Sequence, residues 1–486
     1  MVSTYRTILL CAVVGLGFAA RAATFKSPLL DHHGWRQAAT ASIARNFYRE
    51  RFNPLYPQVD QRGADDIGFV ETGFELLAFC VAAISMLVGE FYIETGRLLN
   101  SLLFIGSALL LYQFVRLRNG PAVAVVSVCA YALGFPLSLY IDRSFMNEAL
   151  LIFLTFAALR AAQLYLRDNR RHDLATVFLA TTLIGVIKLP WLIVWAPLLG
   201  LLLEKHGRRA LTRWEPYVLA GVNLAFVWLW YSHAMALGSA TGLSFGMTDK
   251  LFDVQLVASW GFPLRLVRRL ARDVLGPVGI VALCVGLAAA YRHRRWCETL
   301  GIAGFGAYLL LVAKGNDVHD YYQLPIVPIA AVLVGQGVVH ALDALTRRKL
   351  IVTDGAQLRV LAMVVGLMVF STWARSVSAH SWYEVDWRKV HLCETADSLL
   401  STNDRLLFVG YNNPDLLFCM DKKGWLLPEH LSDAQHITEA WIAGATVAVI
   451  PASYDSADVT EQIRASGTVL VSNDAFRVYR LQPFRK

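Results

Sequence analysis

Long apolar runs alternate with short polar connections over the first three quarters of the chain. The first run covers 7–24. Others lie near 97–115, 121–140, 148–166, 174–203, 215–233, 276–291, 297–313, 323–345 and 359–375. Most are long enough for a bilayer crossing, which takes about 20 residues as helix. The connections sort by charge. Arg116 and Arg118, Arg167 with Arg170 and Arg171, Lys205 with Arg208, Arg209 and Arg213, Arg292 with Arg294 and Arg295, and Arg347 with Arg348 and Lys349 form basic clusters. Cytoplasmic loops carry such excess, so these connections face inward and 25–72, 141–147, 188–191, 234–275 and 314–322 face outward.

That parity decides two ambiguous segments. The run 174–203 lies between two inward clusters and must cross an even number of times. Lys188-Leu189-Pro190 sits at its middle, so it reads as two short helices with Lys188 at the outer tip. The run 73–89 has outward flanks and contains Glu75, so it reads as a helix lying at the outer interface. The segment Ala19–Ala23 resembles a signal-cleavage sequence and is read as the end of an uncleaved first span. About eleven spans result, with the C-terminus outside. Arg265, Arg268, Arg269 and Arg272 place a basic helical face in an outward loop, read as an interfacial helix against anionic headgroups.

The pattern changes after Arg375. Helix-like stretches at 386–400, 431–443 and 456–466 alternate with strand-like stretches at 405–409, 446–450, 468–471 and 476–481. Repeated helix-then-strand units predict a small α/β domain over 384–486 with a mostly parallel sheet. It has no glycine-rich phosphate fingerprint. The fold class is thus mainly α: a polytopic membrane module over 1–375, whose first outer loop is 25–96, followed by a small extracytoplasmic α/β domain.

Composition agrees. Hydrophobic residues make up 56% of the 486 and charged residues 17%, against about 25% charge in soluble domains. This excludes a chain soluble throughout, low-complexity disorder and a collagen-like fibre. The net charge of +8 sits mostly in the short inward loops, which argues for membrane topology and against nucleic acid. Seven cysteines show no metal-binding spacing. Cys393 and Cys419 are the two in the C-terminal domain, and a disulfide or two free thiols are both open.

Chemistry-bearing residues gather on the outward side. The first loop reads Asp31-His32-His33-Gly34-Trp35-Arg36-Gln37, with Asp60-Gln61-Arg62 further on. Arg143 and Glu148 bound the loop 141–147. Lys188 interrupts an apolar run, a costly place for a cation unless it snorkels or meets an anion. His319-Asp320-Tyr321-Tyr322 precedes Pro325. Each has an ordinary reading, as helix cap, dipole partner or aromatic belt. Together they suit a lipid-linked phosphate met by cations and an incoming hydroxyl met by a carboxylate base. That is glycosyl transfer from a polyprenyl phosphate sugar.

The pattern Asp31-x-His33-x-x-Arg36-Gln37-x-x-x-Ala41-x-Ile43-Ala44-Arg45-x-x-Tyr48 resembles the GT-C glycosyltransferases of the protein O-mannosyltransferase and lipid A aminoarabinose transferase type. Arg143-Ser-Phe-Met-x-Glu148, Lys188-x-Pro190 and His319-x-Tyr321-Tyr322-x-Leu-Pro325 support it in the same order. The resemblance covers roughly 5–375. It implies that Asp31 is the general base. It implies an undecaprenyl monophosphate donor, inversion at the anomeric carbon, and an acceptor that is glycan, lipid or protein. The site would lie on the outer face of the bacterial inner membrane. Lys188, Arg143, His319, Tyr321 and Tyr322 would bind the donor phosphate, supported by His33, Arg36, Gln37, Asp60, Arg62 and Glu148. The sequence departs from the aminoarabinose transferases at Glu71–Glu75, where they carry Lys-Pro-Pro. It departs from the mannosyltransferases at His32, where they carry Glu. No cofactor is required by the sequence; Asp31, His33 and Glu148 are candidate ligands for a divalent cation. Two other classes compete. One is a polysaccharide ligase or polymerase using a lipid diphosphate donor, for which Arg265–Arg272 speaks. The other is a lipid-linked sugar transporter, for which the broken run 174–203 speaks.

Overall fold

The computed structural model describes residues 2–63, 66–246, 250–351, 353–454 and 456–483. Residues 247–249 of the outer loop 234–275 therefore lie outside the described residues. The chain divides into two compact units. The first comprises 1–25, 97–231 and 246–380; the second comprises 26–96, 232–245 and 381–486. The first outer loop thus packs with the C-terminal segment in one unit.

The first unit is helical. Among the described residues five helices are long and apolar enough to cross a membrane: Ile93–Asn119, Glu148–Asp168, Glu215–Thr241, Asp320–Arg347 and Gly355–Ser378. A sixth is added if Gly261–Val274 and Gly276–Arg292, bent by 108°, count as one. This is fewer than the eleven expected, and proline and length account for much of the difference. The run 121–140 breaks at a π turn over Ala130–Gly134 ahead of Pro136. The run 174–203 breaks into Arg171–Ile187, a 3₁₀ turn Leu189–Val194 and Trp195–His206, because Pro190 has no N–H to continue the ladder. Trp296–Leu311 is a shorter apolar helix. The helix boundary at Lys188 is where the sequence places it.

Close helix crossings use glycine. A Cβ on Gly337 would strike the Ala282 carbonyl and one on Gly286 the Leu333 carbonyl, so Gly276–Arg292 and Val327–Arg347 meet backbone to backbone. Buried charge is paired. Arg21 is fully buried and donates to Asp142 at 2.9 Å and to the Ala132 carbonyl at 3.0 Å. Arg118 bridges Glu204 and Glu298 at 2.7 and 2.9 Å.

The second unit holds the helices Gly34–Arg49 and Leu76–Val88 and a five-stranded sheet. The strands are β1 (Arg405–Val409), β2 (Lys423–Leu427), β3 (Val447–Pro451), β4 (Gly467–Ser472) and β5 (Phe476–Leu481), in the order β2-β1-β3-β5-β4. β2, β1 and β3 are parallel, while β5 runs antiparallel to β3 and β4. The sheet is therefore mixed, not mostly parallel. Only 473–475 link β4 to β5, too few for the crossover that a parallel pair needs. In that turn Asn473 Oδ1 accepts from the Ala475 and Phe476 amides. Alternate residues of β1 feed opposite cores: Leu406 and Phe408 meet Leu416, Met420 and Val449, and Leu407 and Val409 meet Ile437, Ile450 and Tyr479. Both faces are covered, as sheets with crossover helices require. A Cys393–Cys419 disulfide joins the helices Trp387–Leu399 and Asp415–Cys419.

Candidate active site

In the first unit the break at Lys188 builds a cation site. The backbone leaves the helix Arg171–Ile187 extended at Lys188 (φ −154°, ψ 95°), and the Tyr231 hydroxyl accepts from the next amide at 3.0 Å. Lys188 Nζ lies 2.9 Å from Glu148 Oε1, with side-chain exposures of 17% and 4%. The ammonium also stands 4.8 and 4.3 Å from the ring centres of Tyr321 and Tyr322. Such cation–π contacts stabilise a cation where water is scarce. His319 stacks on both tyrosine rings, at 5.2 and 5.6 Å. The Tyr308 hydroxyl fixes the turn by donating to the Tyr322 carbonyl at 2.6 Å. Glu148 begins the helix Glu148–Asp168, where the dipole favours its charge. Among the described residues its buried Oε2 has no hydrogen-bond partner, and neither have the two amide atoms of Gln323. Arg143, 1% exposed, lies with its guanidinium 4.4 Å from the Tyr140 ring centre. Asn100 fastens the same loop through the Met146 carbonyl at 2.9 Å.

In the second unit Asp31 sits in a tight turn before the helix Gly34–Arg49. The Gly34 amide donates to the Asp31 carbonyl at 2.8 Å, and His33 takes the left-handed conformation (φ 55°). A Cβ on Gly34 would come within 2.7 Å of the Leu29 carbonyl, so only glycine fits the turn. Gln37, fully buried, donates to Asp31 Oδ1 at 2.7 Å and to the His32 carbonyl at 3.1 Å. The His32 ring stacks on Trp382 at 5.9 Å. Arg36 reaches Glu75 at 3.4 Å and covers the Phe245 ring. Asp31 is thus 9% exposed, and an amide holds its carboxylate. Asp60 is spent on Arg45 and Asn46, at 2.5 and 3.2 Å. Arg62 donates its backbone amide to Gly424, and burial lowers its guanidinium from the ordinary value. These two residues tie the first loop to the C-terminal sheet.

Two groups of the expected residues are therefore assembled: Lys188, Glu148, His319, Tyr321 and Tyr322 in the first unit, and Asp31, Gln37 and the histidines in the second. Of the three candidate metal ligands, Asp31 and His33 belong to the second unit and Glu148 to the first. Asp31 and Glu148 each already give an oxygen to a nitrogen donor. The sequence missed the Lys188–Glu148 pair, the Arg36–Glu75 pair and Trp382. Their separations leave no local signal.

No family model and no curated protein matches the chain. Solved structures do. ArnT from Cupriavidus metallidurans, in a crystal structure bound to undecaprenyl phosphate, superposes with a TM-score of 0.67 at 12% identity, over 96% of this chain and 97% of that one. The Archaeoglobus fulgidus oligosaccharyltransferase, in complex with Zn and sulfate, gives 0.58 at 9%, over 96% and 73%. The arabinofuranosyltransferase AftD from Mycobacteria gives 0.58 at 14%, over 97% and 40%. The chain shares its fold with these structures. At these identities the likeness is one of fold. This chain carries a paired lysine at a helix break in the first unit and an amide-held aspartate ahead of the helix Gly34–Arg49 in the second.

Proposed function

We propose that the chain is an inverting glycosyltransferase on the outer face of the bacterial inner membrane. It takes a sugar from a polyprenyl monophosphate donor, undecaprenyl phosphate in particular, and passes it to a glycan, lipid or protein acceptor. The observation that carries this is Lys188, a cation kept by Glu148 and two tyrosine faces at a break in the apolar unit. Its fold neighbour ArnT was solved with undecaprenyl phosphate bound. In this reading Asp31 takes the proton of the acceptor hydroxyl. The hydroxyl oxygen bonds to the anomeric carbon from the face opposite the phosphate. The carbon–oxygen bond to phosphate breaks, and its electron pair leaves with the lipid phosphate. Lys188, with Arg143, His319 and the tyrosines, meets the charge that develops there. Residues 1–375 form the transferase module with about eleven crossings, the shorter helices included, and 384–486 the extracytoplasmic domain. The Cys393–Cys419 disulfide supports that side, since disulfides persist in oxidising compartments.

A lipid diphosphate donor is less favoured. Arg265 is held by Asp317 at 2.7 Å and Arg269 by the Asn316 and Asp317 carbonyls at 2.6 and 2.9 Å. Those two arginines serve packing. The test is Asp31→Asn, which keeps shape and removes basicity. Turnover of a polyprenyl phosphate sugar should fall on the order of 10²-fold or more. Normal turnover by a folded variant would remove Asp31 from the chemistry.

A further inference from the structure

The second unit carries a groove that the transfer step does not use. One wall is the end of the helix Gly34–Arg49 with Glu50 and Asp60; the other is Thr402–Arg405 and Asp421–Lys423. Its volume is about 590 Å³, within the ~300–1,000 Å³ of sites that take small organic ligands. Every residue lining it is polar or charged, with no aromatic and no aliphatic among them. A nucleobase or an acyl chain would find nothing to bury against.

The charges in the groove do not balance locally. Asp60 is taken by Arg45 at 2.5 Å. Asp421 is taken by Arg45 and Arg49, each at 2.8 Å. Glu50 is paired with Lys423 and Asp404 with Arg480. Lys422 is left over. It is 9% exposed, lines the groove, and makes no hydrogen bond or ion pair among the described residues. Its backbone is fixed, the amide donating to the Leu417 carbonyl at 3.0 Å. Most of the residue is buried, and an anion in the groove would gain a charge-assisted hydrogen bond at its ammonium. Burial, with Arg45 and Arg49 beside it, lowers Lys423 to about 8.

We propose that this groove binds a saccharide bearing an oxyanion, phosphate or carboxylate, with the oxyanion on Lys422. Arginine and lysine donors suit such an oxyanion, and Thr402, Asn403 and Asn46 offer hydroxyl and amide partners for sugar hydroxyls. A phosphate alone would leave most of the volume unfilled. That the natural occupant is an acidic glycan acceptor rests on the transferase reading; the binding itself does not.

The experiment is isothermal titration of the full-length protein in nanodiscs, without donor, using glucose 6-phosphate, glucuronate, glucose and inorganic phosphate. Glucose 6-phosphate and glucuronate should bind saturably, more weakly at high salt, and glucose should not bind. Lys422→Gln should weaken binding about tenfold or more, with the melting temperature kept. Lys422→Arg should stay within a few fold, and Glu461→Gln, on the helix Ala457–Ser466, should change nothing. No saturable binding by the wild type would overturn the proposal. So would equal losses in the Gln and Arg variants, unchanged binding in Lys422→Gln, or inorganic phosphate bound as tightly as the sugar phosphate. Because no turnover is read, an inactive Asp31→Asn enzyme and an empty groove are separate results.

Discussion

At the scale of single residues, Lys188 and Glu148 make opposite predictions. The ammonium has three N–H donors and spends one on Glu148 Oε1. A donor phosphate would compete for the others. Lys188→Ala should fold and insert, while affinity for undecaprenyl phosphate weakens by about 1.5–3 kcal/mol, the value of a charged hydrogen bond. Glu148→Gln leaves the lysine in place and removes its internal anion, so phosphate affinity should hold or rise. Microscale thermophoresis with undecaprenyl phosphate reads both. Equal weakening in the two variants would mean that the pair is purely structural. Asp31 could be singled out in the sequence by its place in the first-loop pattern Asp31-x-His33-x-x-Arg36-Gln37. Its partner Gln37 is six residues further on and equally visible. Glu148 and Lys188 were each visible, but their bond spans 40 residues and three-dimensional packing alone makes it.

At the scale of elements, legibility followed periodicity. β1, β3, β4 and β5 and the helices between them lie within a few residues of their sequence ranges, since β-branched and apolar runs there are bounded by polar turns. β2 was missed. Lys423-Gly424-Trp425-Leu426-Leu427 begins with a cation and a glycine, and its pairing with β1 supplies what propensity lacks. In the apolar module 121–140 reads as one unbroken run although a π turn ahead of Pro136 breaks it, whereas the break in 174–203 is legible from Lys188-Leu189-Pro190. The sheet also yields a pH prediction. Burial pushes the Asp404 carboxyl up, but hydrogen bonds from Arg480, Thr446 and the Ser401 amide outweigh it and hold the carboxyl below its ordinary value. A lowered folded value gives stability that is present above the unfolded value of about 3.9 and is lost as pH falls through the folded one. The melting temperature of the second unit should therefore drop as pH is taken below about 4. Asp404→Asn should be less stable at neutral pH by about 1–3 kcal/mol and lose less on acidification. An unchanged acid slope in that variant would show that other carboxylates set it.

At the scale of the whole molecule, orientation follows from arithmetic on charge. Five basic clusters share one side only if the segments between them cross in pairs. The break at Lys188 permits this for 174–203, and the 13-residue helix Leu76–Val88 permits 73–89 not to cross. If the first helix crosses outward, the number of crossings is odd and the C-terminal sheet is expected outside. The disulfide gives an independent reading of the same quantity, because the cytoplasm keeps thiols reduced. Two measurements should then agree. A C-terminal alkaline phosphatase fusion should be active and a fluorescent protein fusion dark. In intact cells, Cys393 and Cys419 should resist a maleimide until a reductant is added. The other five cysteines are free thiols, so the labelling is done in a chain with those replaced by serine. A dark phosphatase fusion with immediate labelling would place the sheet inside. One of the two ambiguous segments would then have the opposite parity, and Asp31 and Lys188 could no longer both belong to outward loops.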